Sequence, residues 1–141
     1  MKLEQLSIFL ENKTGRLSGV TQTLHHGGIN IRALSLADTS DFGILRLIVD
    51  DTDRAEKLLK QAGFTIGRTP VVGVEVDDTP GGLNNILTIL SECQVNVEYM
   101  YAFVQKARRA TLIFRVDQLD QAIEALKEHN VHLVTVEEIR E

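Results

Sequence analysis

The sequence contains two copies of one pattern, and this repeat limits the possible folds more than any other feature. ENKTGRLSGVTQTLHHGGINI aligns with DDTPGGLNNILTILSECQVNV. Three identical residues recur at one spacing: Gly15 and Gly81, Leu17 and Leu83, Asn30 and Asn96. Further on, Ala55 aligns with Ala122 at a spacing one residue longer, which indicates one inserted residue between the two matches. We therefore predict two tandem domains, residues 1–69 and 70–141.

Within each copy, strand-like and helix-like hydrophobic periods alternate. LSIFLE alternates as a strand does, and Leu17, Val20, Thr21 and Leu24 then follow the period of a helix that packs on one side. The strands INIRALSLA and FGILRLIV, a second helical stripe from Ala55 to Ala62 and the strand FTIGR complete the first copy. The second copy repeats this order from VVGVEV to VHLVTV.

The order βαββαβ, found twice, predicts an α+β fold. With right-handed crossovers, each copy becomes a ferredoxin-like unit, in which an antiparallel sheet carries two helices on one face. The connection Gly67–Pro70 is too short for a flexible linker. We therefore expect the two units to lie side by side and to move little relative to each other.

Composition and charge exclude several classes of function. The net charge of −5 and the pI of about 5.4 argue against a nucleic-acid partner, since such proteins normally carry a basic surface. The single cysteine, Cys93, permits no internal disulfide and indicates a reducing compartment. No apolar run approaches the ~20 residues of a membrane span, and the N-terminus lacks a signal-peptide pattern. We expect a cytoplasmic protein that does not associate with membranes.

The turn ENKTGRL joins the first strand to the first helix and has the chemistry of an anion site. The first N–H groups of a helix lack intrahelical partners, and a glycine lets a ligand approach the backbone closely. We expect Asn12 and Asn30 to lie near this turn, where their amides offer donors and acceptors. Donors for a carboxylate and acceptors for an ammonium together suit a free amino acid.

A purely structural interpretation of the turns accounts for the same residue types. Asn12 can cap the helix, and Asn30 can be a turn residue. In the second copy, Pro80 can be the first helical residue, with Thr79 or Asp78 as its cap. Arg16 can pair with a ligand carboxylate or be a solvated helix residue.

Several residues together resemble the ACT domain. A βαββαβ unit of this length, the turns ENKTGRL and DDTPGGL, and an Asn-Ile or Asn-Val pair after the first helix carry the resemblance, which covers the whole chain as two copies. The stretches DFGILRLIV and VEYMYAF are similar to those of stand-alone double ACT proteins. The resemblance implies a small-molecule sensor, most often for an amino acid, that acts on a metabolic enzyme or regulator.

The resemblance also implies positions for the ligand. Serine-sensing ACT domains have a histidine and an asparagine around the turn and a second asparagine after the helix, and the matching residues are Leu10, Asn12 and Asn30. Because Leu10 departs from the pattern, we expect an amino acid that is not strongly polar. The expected first site comprises Leu10, Asn12, Thr14, Gly15, Arg16, Leu17, Asn30 and Ile31.

The second copy predicts a weaker site. Its matching positions are Val76, Asp78 and Asn96, and the Asp78 carboxylate would repel a ligand carboxylate. Gly82 stands in the place of Arg16, so the two sites should differ. The expected second site comprises Asp78, Gly81, Gly82, Leu83, Asn96 and Val97.

One strand of the second copy predicts self-association. Simple alternation places Val95, Val97, Tyr99, Tyr101 and Phe103 on one face and Met100, Ala102 and Val104 on the other. A sheet with helices on one side needs one apolar face, so two apolar faces favour a homodimer. The alternative is that Tyr99 and Tyr101 are partly exposed sheet residues.

No motif favours catalysis, a metal or a cofactor. His25-His26 and His129-x-x-His132 have no carboxylate or thiol at a recognised ligand spacing, so we predict no metal site. Cys93 continues an apolar stripe and fits a core position. RNA-recognition domains share the element order, but FGILRLIV and RATLIFRV lack their aromatic pattern. An acylphosphatase-like enzyme would use an arginine in the first turn, and only Arg16 matches that.

The sequence therefore predicts a non-enzymatic regulatory protein that senses an amino acid and modulates a metabolic enzyme or regulator. The alternative is a structural subunit of an enzyme complex, with turns that bind nothing.

Overall fold

The computed structural model describes residues 2–38, 41–106 and 109–140, apart from the side chains at 38 and 103–106. The chain divides into two compact units. The first comprises Glu4–Thr69 with Ile139 and Arg140, and the second comprises Pro70–Glu138 with Lys2 and Leu3. Each unit has the predicted α+β ferredoxin-like arrangement. No helix of the described residues has the length and apolar character needed to cross a membrane.

The first unit contains four strands and two helices. They are β1 (Leu3–Glu11), α1 (Arg16–His26), β2 (Ile31–Asp38), β3 (Phe42–Val49), α2 (Thr52–Gln61) and the start of β4 (Thr65–Asp77). The strand order is β2-β3-β1-β4, and β3 is antiparallel to both β1 and β2. In this unit β2 is therefore an edge strand.

The core of the first unit lies between the helices and one face of the sheet. Leu6, Ile8 and Leu10 alternate along β1 and are buried, and they pair with residues of β3 that share their face. They meet the buried stripes of the two helices, which include Val20 and Leu59. Each such side chain contributes about 1.5–3 kcal/mol when it is removed from water.

The second unit repeats this architecture. It contains α3 (Gly82–Glu92), β5 (Val97–Lys106), β6 (Arg109–Val116), α4 (Leu119–Glu128), β7 (His132–Leu133) and the start of α5 (Val136–Arg140). The strand order is β5-β6-β4, with β7 paired to β4. Its core joins Val72 and Val74 of β4 with Phe114 of β6 and the buried residues of α3 and α4, such as Ile86 and Leu126.

Two predicted elements are wrong in this region. VHLVTV was expected to be a strand, but only His132–Leu133 is extended and Val136 begins α5. Thr135 and Glu138 form a capping box that starts this helix: the Glu138 N–H donates to Thr135 Oγ1 (3.2 Å), and the Thr135 N–H donates to Glu138 Oε1 (3.3 Å). The connection Gly67–Pro70, expected to separate the strands FTIGR and VVGVEV, instead lies inside the single 13-residue strand β4.

The predicted faces of β5 are wrong because the strand contains an irregularity. The pairing with β6 shifts between Val97 and Tyr99, so simple alternation fails there. Val97 packs on the core together with Met100, whereas Tyr99 and Tyr101 lie on the other face. The predictions for Phe103 and Val104 concern side chains that the structure does not describe.

Candidate functional site

The first turn is held by backbone hydrogen bonds and ends in a left-handed glycine. The Asn12 N–H donates to Asp41 O (2.9 Å), and the Lys13 N–H donates to Glu11 O (2.8 Å). Gly15 is the N-cap residue of α1, with a φ of 88° and no side-chain cap. The predicted role of Asn12 as a cap is therefore wrong. Thr14 is exposed within the turn.

The start of α1 presents backbone N–H donors that the helix itself does not use. The Arg16 N–H donates to Lys13 O (3.2 Å), and the Gly19 N–H donates to Gly15 O (3.0 Å). The helix geometry leaves the N–H groups of Leu17 and Ser18 between them for a ligand or for water. Because the helix dipole adds partial positive charge at this end, a carboxylate suits these donors.

The second turn has the same backbone. Gly81 is the N-cap residue of α3, with a φ of 90°, so Pro80 is not the first helical residue and neither Thr79 nor Asp78 caps the helix. A Cβ at Gly82 would lie 2.5 Å from the Asp77 carbonyl oxygen, so this position admits only glycine unless the turn shifts. The first turn has Arg16 at the matching position, and the two turns therefore differ locally.

A cleft of about 200 Å³ lies at the first turn and contains half of the predicted residues. Leu10, Asn12, Arg16 and Leu17 line it. Sequence reasoning missed other residues of this lining: Glu11, Lys13, Leu36 and Gly43. The sequence carries little signal for Leu36 and Gly43, because only the pairing of β1, β3 and β2 brings them to the turn.

Charges of opposite sign meet at the rim of this cleft. Arg16 Nη2 donates to Glu11 Oε1 (3.2 Å), and Lys13 Nζ lies 2.9 Å from Glu11 Oε2. The hydrogen bond from Lys13 and the charges of Lys13 and Arg16 hold the pKa of Glu11 below its ordinary value. All three side chains are largely exposed, so both signs of charge are available to a ligand.

Asn30 and Ile31 are not near the first turn within one chain, and the expectation that Asn30 lies beside Asn12 is wrong. Leu10 pairs with Gly43 at the start of β3, whereas Ile31 pairs with Val49 at its end. The error is topological, because a helix that joins two parallel strands returns the chain to the opposite end of the sheet. Asn96 and Val97 stand in the same relation to the second turn.

The backbone of Asn30 has a structural role that recurs in the second unit. Its N–H donates to Asp50 Oδ1 (3.0 Å), and its carbonyl accepts from the Asp50 N–H (3.2 Å). Asn96 and Asp117 form the same pair of bonds, at 2.9 and 3.1 Å. The Asn30 side chain is exposed at the start of the edge strand β2.

The second turn borders a larger cleft of about 520 Å³. Of the predicted residues, Gly81 and Gly82 line it, together with Val76. Asp78 and Leu83 are not part of this lining. Arg109, His129 and His132 also face the cleft, so its lining contains two imidazole groups, whereas the lining of the first cleft contains none.

One group of side chains in the second unit could hold a metal ion. Glu75, His132 and Glu138 each offer a ligand atom, and these atoms all lie within 4.8 Å of one another. Burial raises the pKa of Glu138, but its hydrogen bond and charge interaction with His132 and its bonds from Thr135 outweigh this and lower the pKa below the ordinary value. Glu75 is distant from His132 in sequence, and Glu138, six residues after His132, is not at a recognised ligand spacing, so the sequence gave no signal.

The repeat, the two βαββαβ units and the paired glycine turns define a tandem ACT protein. The model of the ACT domain pair family matches residues 1–141, and the chain belongs to that family. Among curated protein sequences, none matches the chain.

Solved structures agree with this assignment. A Bacteroides thetaiotaomicron protein is 44% identical, with a TM-score of 0.96, and the match covers 100% of this chain and 97% of that one. The regulatory subunit of aspartate kinase from Thermus thermophilus shares the fold at 17% identity and a TM-score of 0.65. The match covers 89% of this chain and 91% of that one. The corresponding Thermus flavus subunit matches at 16% identity and a TM-score of 0.62, and the match covers 89% of this chain and 90% of that one.

Proposed function

We propose that this protein binds a free amino acid of low side-chain polarity at the first turn and acts as a cytoplasmic, non-enzymatic regulator. The observation that carries the proposal is the composition of the 200 Å³ cleft. It combines the helix N-terminus, a carboxylate and guanidinium pair, and leucine side chains. The cleft is smaller than the ~300–1,000 Å³ of sites for drug-sized ligands, which suits one amino acid.

The ligand's two charged groups have complementary partners. Its carboxylate would accept from the N–H groups of Leu17 and Ser18 and from Arg16. Its ammonium would donate to Glu11 and to the amide oxygen of Asn12. The side chain would then lie against apolar residues of the lining, such as Leu36.

Asn30 would reach this cleft from a second copy of the chain. β2 is an edge strand of its unit in the described part of the chain, and its exposed Leu34 (57%) and Leu36 (49%) leave apolar surface along that edge. If two β2 strands pair antiparallel across a two-fold axis, the start of one lies beside the end of the other. Asn30 and Ile31 of the second copy would then border the cleft that contains Asn12. This is our proposal for the homodimer.

Regulation would follow from differential affinity. A ligand held between two copies stabilises the paired arrangement, and that arrangement biases the enzyme or regulator it contacts. The similarity to the aspartate kinase regulatory subunits concerns the fold. A regulatory role for this chain is consistent with it. We place the two ACT domains at residues 1–69 and 70–141. The second site, with Asp78 in place of an amide, would bind more weakly.

A thermal-shift screen of the twenty amino acids tests the proposal. A ligand at a hundredfold excess over its Kd should stabilise the native protein by about 2.7 kcal/mol. The shift should occur with one or a few apolar amino acids and disappear in Asn12→Ala. The matched variant Asp78→Ala, at the same position of the second turn, should retain it. A folded protein that shifts with none of the amino acids would contradict the proposal and favour a structural subunit.

A further inference from the structure

We propose that Glu75, His132 and Glu138 form a binding site for a divalent transition-metal ion, and that Zn²⁺ is the ion that this donor set fits best. The proposal does not depend on amino-acid binding at the first turn, because all three residues belong to the second unit. Imidazole nitrogen and carboxylate oxygen are ordinary ligands of zinc.

Two of the three distances between the ligand atoms are close to those around a tetrahedral ion. Two ligand atoms that are each about 2.0–2.1 Å from a tetrahedral zinc lie roughly 3.3–3.4 Å apart. His132 Nε2 lies 3.0 Å from Glu138 Oε2 and 3.6 Å from Glu75 Oε2. These two distances bracket the tetrahedral edge, and the third pair of ligand atoms, from Glu75 and Glu138, lies within 4.8 Å.

The three ligands are positioned by separate elements. Glu75 in β4 and His132 in β7 are paired directly in the sheet, which places them side by side. Glu138 is held by the capping box, in which the N–H and the hydroxyl of Thr135 both donate to its Oε1 (3.3 Å each). Such hydrogen bonds to a ligand are the usual outer support of a metal site. Both carboxylate oxygens of Glu138 lie close to His132 Nε2, with Oε1 at 3.1 Å and Oε2 at 3.0 Å.

The local charge favours a cation although Arg109 is close. Arg109 Nε bonds to Glu75 Oε1 and leaves Glu75 Oε2 on the side of His132. Arg109 Nη1 also lies 3.8 Å from Asp77 Oδ1, so its charge is shared with a further carboxylate. With a neutral imidazole, Glu75, Glu138 and Asp77 carry three negative charges against one guanidinium. A divalent ion would balance this excess.

The site is accessible and has room for a further ligand. The side chains of His132 and Glu138 are 50% and 36% exposed. Glu75 and His132 also line the 520 Å³ cleft at the second turn. Three protein ligands leave one tetrahedral position open for water or for a small molecule in that cleft.

Titration of the full-length, untagged protein with Zn²⁺ tests this site, and Co²⁺ serves as a spectroscopic probe. We expect one ion per chain and a visible Co²⁺ absorption of tetrahedral type. His132→Ala should weaken zinc binding more than about tenfold. Even the loss of a residue that only hydrogen-bonds to a metal ligand typically lowers metal affinity by about 10–100-fold. Glu75→Gln, which leaves the α5 capping box intact, should also weaken it.

His129→Ala is the matched control, because His129 lines the same cleft but its Nδ1 lies 2.8 Å from Ala125 O. This variant should bind zinc as the unmodified protein does. The proposal is overturned if the folded protein shows no saturable zinc binding, which would mean that the cluster is an ion pair only. It is also overturned if His129→Ala loses as much affinity as His132→Ala.

Discussion

Gly15 and Gly81 occupy the same place in the two repeats and adopt the same left-handed backbone conformation, with φ of 88° and 90°. Each is the N-cap residue of the helix that follows it. The shared conformation directs the chain from the strand into the helix and exposes the first N–H groups of that helix. The two turns share this geometry although their side chains differ.

Alanine at either glycine should destabilise the protein through backbone conformation alone. A Cβ at Gly15 or Gly81 would meet no atom within 4 Å, so no clash is involved. The left-handed conformation costs an ordinary residue roughly 1–2 kcal/mol. Urea denaturation should show this loss for Gly15→Ala and for Gly81→Ala. Gly67→Ala is the control: it also has open space, but its φ is not positive, so its stability should change little.

Gly73→Ala should destabilise the protein for the opposite reason. The backbone of Gly73 is ordinary, but a Cβ there would lie 3.0 Å from Leu3 Cδ1 and 3.2 Å from Val134 Cβ. Overpacking of this kind typically costs about 1–3 kcal/mol. The same denaturation experiment measures it. An unchanged midpoint would show that the neighbours of Gly73 move aside freely.

The second helix of each repeat begins differently: α2 has a side-chain cap and α4 has none. Asp51 caps α2, and its side chain accepts from the Arg54 N–H (3.2 Å), whereas Gln118 at the N-cap of α4 forms no such bond. Asp51→Ala should lose about 0.5–2 kcal/mol, and Gln118→Asp should gain a similar amount. The midpoint of thermal unfolding should fall for Asp51→Ala and rise for Gln118→Asp. A loss of stability in Gln118→Asp would show that the backbone at Gln118 cannot support a cap.

The pKa of Glu11 should depend on Lys13 more than on Arg16. The lowered pKa arises first from the hydrogen bond of Lys13 and then from the charges of Lys13 and Arg16. A lowered pKa means that the interaction stabilises the fold above the ordinary pKa and is lost as the pH falls through the lowered value. A carbon-detected NMR titration should show a higher pKa in Lys13→Ala and a smaller rise in Arg16→Ala. Equal pKa values in all three proteins would contradict this assignment.

The repeat and the element order could be predicted from the sequence because both depend on local periodicity. The βαββαβ order and the buried stripes, such as Val20 with Leu24, follow from side-chain spacing. The two-residue β7 and the helix after it were missed, although Thr135 and Glu138 carry the capping-box spacing in the sequence. The irregularity in β5 has no comparable signal, because it depends on the pairing with β6.

Only half of the candidate site could be predicted, because the other residues depend on strand pairing and not on local spacing. Leu10, Asn12, Arg16 and Leu17 are close in sequence and share one cleft. Leu36 reaches that cleft only through strand pairing, and Asn30 lies at the other end of β2. The cluster around His132 depends on contacts between separate elements of the second unit. Residue spacing along the chain cannot report such contacts.

The most direct test of the central claim is the binding capacity of mixed dimers for the amino acid found in the screen. Asn12→Ala and Asn30→Ala should each abolish binding, because every site in either pure dimer lacks one amide. Mixing the two proteins and allowing their subunits to exchange should restore one intact site in each mixed dimer. With random exchange, calorimetry should then recover about a quarter of the original sites. No recovery, in a mixture shown to exchange, would contradict a site shared between two copies.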